Sequence, residues 1–222
     1  MNYVFHFQSI WNNKELFLSG VLVTLQLAIL AMLMGAVLGI AGAVARNSRL
    51  RVARVFSGAS VEAIRNTPLL VQLYLWYFGL GVLGIDVPPY WSVVIAMGVN
   101  NGGYMTEIIR AGIEAVKPQQ IRAGFSLGMS GFQVFRYIII MPAVGIVFPA
   151  ISNQFVISIL MSALAMIIGV KDLTYQAVYL QAHTFRSIET YIVVIILYII
   201  MSKAIVLFSE FLDRRLFKYK YV

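Results

Sequence analysis

"LFLSGVLVTLQLAILAMLMGAVLGIAGAVA", residues 16–45, runs for 30 residues without a charged side chain. At 1.5 Å per residue a helix of that length measures about 45 Å. It must tilt or protrude beyond a hydrocarbon core of about 30 Å. The run ends in Ala43-Val44-Ala45, which resembles a signal-peptide cleavage site. Yet it far exceeds the apolar region of such a peptide, and Lys14 and Glu15 cancel just before it. A retained first span is therefore expected. Composition agrees: 60% of the 222 residues are hydrophobic and only 12% are charged, against about 25% charged in soluble domains. Lipid is the expected solvent, and one transmembrane domain over residues 1–222 is the expected organisation. There are no cysteines, so disulfides and thiolate metal sites are excluded.

Working outward, four further stretches read as spans: Val55–Gly81, Trp91–Ile109, Ile138–Gly169 and Tyr191–Leu212. The second contains Glu62, Arg65 and Pro68, and only its later part is strongly apolar. Basic residues set the orientation. Arg46, Arg49, Arg51 and Arg54 follow the first span. Arg110, Lys117, Arg122 and Arg136 lie between the third and fourth, and Arg214, Arg215, Lys218 and Lys220 follow the fifth. These twelve stand against Lys14, Lys171 and Arg186 on the other side. An all-α membrane protein of five transmembrane helices is expected, with its N-terminus outside and its C-terminus cytoplasmic. Of the outer connections, Gly79–Tyr90 has no basic residue and breaks at Pro88-Pro89, while the polar Lys171–Thr190 can form a short surface helix. Gly35–Gly39 and Gly98–Gly102 match GxxxG, a close-packing signal that fits intrachain packing better than a dimer seam.

No catalytic constellation is present. His6 and His183 lie in no metal motif, and no G-x-x-x-x-G-K-[ST] phosphate loop occurs. Polar residues inside spans are more informative, because hydrocarbon disfavours them. Glu62 and Arg65, at i and i+3, can pair on one helix face. Asn66, Thr67 and Gln72 continue that polar face. Asn100, Asn101, Tyr104 and Glu107 follow in the third span, and Asn153 and Gln154 in the fourth. Each alone fits interhelical hydrogen bonding equally well. Together Glu62, Asn66, Thr67, Gln72, Asn100, Tyr104, Asn153 and Gln154 outline a polar pathway for a solute.

One cytoplasmic stretch, about 118–131, has a different character. Ile121, Phe125, Gly128, Phe132 and Phe135 recur at helical spacing, with Arg122, Ser126, Ser130 and Gln133 elsewhere around the wheel. Pro118 suits the first helical position. Gly128 and Gly131 weaken an isolated helix by up to about 1 kcal/mol each. Close approach to another protein accounts for them; a helix lying flat on headgroups is the other option.

Glu62–Gly79, "EAIRNTPLLVQLYLWYFG", carries a resemblance that extends over nearly the whole chain. It is similar to the E-x-x-R-x-[TS]-P-L-[LV]-V-Q-L pattern of permease subunits from bacterial ATP-binding-cassette importers for polar amino acids, the histidine/glutamine/arginine/glutamate branch. Thr24-Leu25-Gln26-Leu27, Tyr104 to Ile113, Ser126 to Ser130, Pro142, Asn153-Gln154-Phe155, Ile168-Gly169-Val170 and Thr184-Phe185 also resemble that branch.

The resemblance implies a type I importer permease (MetI-like) architecture in the bacterial cytoplasmic membrane. It implies a coupling helix at about 118–131 that docks on the ATPase through Arg122, Ala123, Gly124, Gly128, Met129 and Ser130. Arg122-Ala123-Gly124 stands where the family signature has Glu-Ala-Ala, and Pro142 falls one residue late. Leu160 to Leu164 replaces a more polar span-four motif, which favours a heterodimer of related permeases over two identical chains. The implied partners are that second permease, two ATP-binding subunits, an extracytoplasmic substrate-binding protein, a polar amino acid and the lipid bilayer, with no nucleic acid. ATP and Mg would be bound by the ATPase; no cofactor is expected in this chain, and no catalysis. An ATP-independent secondary transporter or small channel is the alternative, and a structural membrane anchor a third.

Overall fold

A computed structural model describes residues 3–217; Lys218 and Lys220, counted above among the cytoplasmic basic residues, lie outside it. The described chain is helical. After α1 (Gln8–Asn12), the first apolar run forms α2, Lys14–Arg46, 33 residues. It is followed by α3 (Arg51–Arg65), α4 (Leu69–Val82), α5 (Pro89–Glu114) and α6 (Pro118–Ser126). Then come α7 (Gly131–Ile168), α8 (Leu173–Thr184) and α9 (Ser187–Leu216). Three of these, α2, α7 and α9, are long and apolar enough to cross a membrane. Their exposed faces are apolar too. Along α2, Leu18, Leu22, Ile29, Leu33, Val37, Ile40 and Val44 are exposed at helical spacing. An exposed stripe of this kind faces a solvent other than water, and only a helix satisfies its own backbone there.

The expected second span, Val55–Gly81, is not one helix. Asn66, Thr67 and Pro68 divide it into α3, whose sequence alternates basic and apolar residues, and the apolar α4. Pro68 has no N–H to give, and it pushes Thr67 out of the helical region. Its own backbone is extended at ψ 138°. The Gln72 amide then folds back on the break, donating to Thr67 O at 3.2 Å and Thr67 Oγ1 at 2.9 Å. Within α4 and α7, Leu75–Gly79 and Val134–Ile140 widen into π turns, a geometry that recurs at functional sites.

The chain divides into two compact units. The first takes residues up to Leu33, Thr67–Gly98 and Phe155–Ile205; the second takes Met34–Asn66, Val99–Gln154 and the chain from Val206 on. In the first unit, Leu27, Ala31, Leu69, Leu73, Val93, Met97 and Ala165 form one apolar cluster. A second cluster holds Phe17, Ala28, Ile159, Leu173, Ala177, Leu180 and Val194. The Lys171–Thr190 connection therefore differs from the surface helix expected. Leu173, Ala177 and Leu180 recur on one side of α8 and are buried. A Cβ on Gly20 would meet Leu173 Cα at 2.8 Å, so α2 and α8 touch backbone to backbone.

In the second unit the glycine pattern is an intrachain seam. A Cβ on Gly35 would strike Asn101, one on Gly39 Met105, and one on Gly102 Leu38. This is the close approach that small residues permit between apolar helices.

Candidate pathway and docking surface

The eight pathway candidates fall into both units. In the first, Thr67 and Gln72 meet, as described, at the break before α4. In the second, buried Gln154 donates to buried Asn101 Oδ1 at 2.9 Å, joining α7 to α5. Asn100 is buried, Tyr104 half-buried, and Glu62 and Asn66 are exposed. Asn153 is exposed and lines a cavity of about 380 Å³ with Ser152, Ser209, Glu210, Asp213 and Arg214.

The Glu62–Arg65 pair expected from i, i+3 spacing does not form among the described residues. The Arg65 guanidinium instead lies over the Tyr104 ring, 5.3 Å from its centroid. Gly103 brings α5 close to α3 at this level: its Cβ would meet Ile64 Cγ2 at 2.8 Å and Arg65 Cγ at 3.5 Å. The aliphatic stem is thereby drawn onto α5, and the aromatic face becomes the partner.

A charge chain went unanticipated. Glu107 accepts from Arg46 at 3.2 Å and from Arg110 Nη2 at 2.9 Å, and Arg110 pairs onward with Glu114. The spacing of Glu107, Arg110 and Glu114 signals it in sequence; Arg46, on another helix, gives no such signal. In the first unit two further acids are buried. Asp172 caps α8, its Oδ1 accepting the Tyr175 N–H at 2.9 Å, while Oδ2 is buried with no hydrogen-bond partner among the described residues. Burial pushes this carboxyl up to about 6. Glu189 accepts from the Tyr3 hydroxyl at 2.6 Å and the His6 N–H at 3.0 Å, strapping the N-terminal segment to α9.

The stretch expected at about 118–131 forms a helix, but it ends at Ser126 and does not continue to 131. Gly128 sits at φ +77°. Its N–H donates to Phe125 O at 3.0 Å, and the Met129 N–H to Gly124 O at 3.2 Å. This is a Schellman termination, which requires a left-handed residue at that position. Ser130 then opens α7 with a capping box: its N–H donates to Gln133 Oε1 at 2.8 Å and its Oγ accepts the Gln133 N–H at 3.3 Å. Gly124 is buried, where a Cβ would strike Ile138 and Val134. The turn is thus fastened from inside. Outside, Phe125, Leu127, Phe132 and Phe135 stay exposed, Leu127 at 82%. Arg122, Ala123, Ser130 and Arg136 are exposed beside them, and Met129 is half-buried. No acid occurs between Glu114 and Asp172, so the surface is apolar and basic.

Among the described residues no group of three or more His, Asp or Glu side chains could hold a metal ion. Residues 32–218 match the family of binding-protein-dependent transport system inner membrane components. The chain belongs to that family. The glutamine transport system permease protein GlnP of Escherichia coli (strain K12) is 30% identical over 214 residues, spanning 96% of this chain and 98% of that protein. A solved structure described as an amino acid ABC transporter with histidines superposes with TM-score 0.90 at 37% identity, covering 96% of this chain and 100% of its own. The fold extends to an inward-facing MetNI methionine ABC transporter, TM-score 0.76 at 15% identity over 92% and 98% of the two chains. The chain is thus an all-helical, MetI-like type I permease of the ABC importer class, a membrane subunit of amino-acid transport.

Proposed function

We propose that this permease forms half of the translocation pathway of an ATP-driven importer for a polar amino acid. A separate ATPase pair supplies the energy and an extracytoplasmic binding protein delivers the solute. The polarity lost at Leu160–Leu164 favours a related rather than identical second permease. α2, α4, α5, α7 and α9 supply five spans with the N-terminus outside, in keeping with the basic residues after α2, α5 and α9. α4, 14 residues long, measures about 21 Å, so protein rather than lipid must surround part of its height. Asn66, Thr67, Gln72, Asn100, Tyr104, Asn153 and Gln154 offer uncharged donors and acceptors to a zwitterionic solute.

The observation that carries the proposal is the turn at Phe125–Phe132. Large apolar side chains stand in the open on a doubly capped, basic turn on the proposed cytoplasmic side. A water-facing loop gains nothing from that arrangement, and a docked ATPase gives each of these side chains a partner. Motion in the ATPase pair then reaches α7 through the fastened turn, and the permease answers with alternating access. Such coupling needs different contacts in the two states.

Reconstituted complexes carrying Leu127→Asp are expected to bind ATPase subunits weakly and to lose at least about tenfold in uptake, because a charge is then buried at the contact. Gly128→Ala is expected to act more mildly, through left-handed strain of about 1 kcal/mol. Normal uptake and ATP hydrolysis in Leu127→Asp would remove the coupling role. ATP-independent uptake by the purified chain would favour a secondary transporter or channel instead.

A further inference from the structure

In the first unit a groove of about 500 Å³ runs between the start of α2 and the early turns of α9. Phe7, Trp11, Leu18, Val193 and Leu197 are among its walls, and Lys14 is the one charged residue lining it. Lys14 and Leu18 are one turn apart on α2, as are Val193 and Leu197 on α9. The groove therefore follows both helices for about 6 Å along their axes. Its charged end lies just before the uncharged run of residues 16–45 begins. Trp11 is 67% exposed there, with the Lys14 ammonium 5.0 Å from the centroid of its ring. A tryptophan and a lysine beside the start of an apolar span mark the level of the lipid headgroups. Below them the walls are hydrocarbon.

No ion pair engages Lys14 among the described residues, and Glu15, the next residue along α2, is exposed and does not line the groove. The strap set by Glu189, through the Tyr3 hydroxyl and the His6 N–H, holds the segment that places Phe7 at the wall. The groove is thus a fixed feature with one cation at one end and apolar walls elsewhere.

We propose that this groove holds the headgroup-proximal methylenes of one acyl chain of an anionic phospholipid, its phosphodiester paired with the Lys14 ammonium. A zwitterionic lipid carries its own amine beside the phosphate and gains less from Lys14. A lipid with a net negative headgroup gains the full pairing, about 1 kcal/mol for one lysine near the surface, or about fivefold in affinity. The occupant bridges α2 and α9 beside the strap that ties the N-terminal segment to α9, so it would stiffen that end of the first unit. The proposal stands apart from the assignment of transported solute and coupling surface, since its readout involves neither uptake nor ATP.

Native mass spectrometry of the intact complex, supplemented with phosphatidylglycerol or phosphatidylethanolamine of identical chains, tests it. One phosphatidylglycerol per copy of this permease is expected to survive activation that strips phosphatidylethanolamine. Lys14→Gln should reduce its retention about fivefold, Lys14→Arg should preserve it, and Leu197→Trp, which fills the groove, should abolish it. Equal retention of the two lipids, or retention indifferent to Lys14→Gln or Leu197→Trp, would leave only annular lipid and overturn the site. So would a disulfide between Leu18→Cys of this chain and a cysteine of a second permease chain, which would put protein in the groove.

Discussion

Glu107 and Asp172 are both carboxylates withdrawn from water, one in each compact unit, and they keep different company. Glu107 lies between the guanidinium groups of Arg46 and Arg110. Its charge is matched, and removing it takes a counter-charge from two cations. Asp172 has a backbone N–H on one oxygen and, among the described residues, no hydrogen bond on the other. The Tyr198 hydroxyl stands near it but carries no charge, and Tyr198 is itself held by Thr174 at 2.8 Å. Burial therefore outweighs the neutral hydrogen-bond donors around Asp172, which pull its carboxyl the other way without supplying a counter-charge. A paired charge fixes two helices together at any ordinary pH. An unpaired one makes the packing of α8 depend on whether a proton is present.

The sharpest way to break this contrast is to remove both charges and compare signs. For Asp172 the folded carboxyl titrates near 6 and the unfolded one near 3.8. Between those values the folded chain holds a proton that the unfolded chain has released. Stability from this group is therefore greatest below about pH 4, falls as pH rises to about 6, and is level above. The difference is on the order of 3 kcal/mol. Asp172→Asn, which keeps the cap on Tyr175 N–H, should erase that slope and raise the melting temperature in detergent at pH 8. A slope unchanged in Asp172→Asn would mean that another group titrates. Glu107→Gln should do the opposite and lower stability at pH 8 by about 2 kcal/mol, because two guanidinium groups lose their shared counter-charge. Adding Arg46→Met to Glu107→Gln should recover part of the loss. If both single substitutions shift stability the same way, the distinction between paired and unpaired acids fails.

What could be seen in the sequence divides along another line, local pattern against partnership across helices, and it does so in both units. The long apolar runs announce α2, α7 and α9 because a membrane span is a local property of composition. Pro68 is visible too, yet the apolar pattern on either side suggests a span that continues through it; the actual break leaves α4 too short to span hydrocarbon unaided. The end of α6 is legible in the same way. Gly128 is a glycine just past an apolar period, and the three-residue spacing from Ser130 to Gln133 is the capping-box signature; the first stops one helix and the second starts the next. The Leu173, Ala177, Leu180 stripe likewise points inward, although the surrounding polar residues draw attention to the surface. What no local pattern carries is partnership across helices. Arg46 with Glu107, Arg65 with Tyr104, and Glu189 with Tyr3 join residues far apart in sequence, and only the folded chain brings them together.

The Asn101–Gln154 bond supplies the neutral control, and the smallest effect. Both residues are buried in the second unit, where Glu107 is half-buried, and neither carries a charge. Hydrogen bonds between membrane helices average about 0.6 kcal/mol when measured by double-mutant cycles. Gln154→Leu should therefore cost roughly 1 kcal/mol, with no pH dependence, and the Asn101→Leu, Gln154→Leu double variant should cost less than the two singles together. Uptake decides whether the pair is also part of the pathway. A tie between helices that serves packing alone gives Gln154→Leu normal affinity and rate once the protein is folded. A residue that the solute meets gives a changed KM for uptake at unchanged stability of the remaining complex. A coupling well above about 1 kcal/mol would place this uncharged pair with Glu107, and charge would no longer be what separates the two ways of burying a polar side chain here.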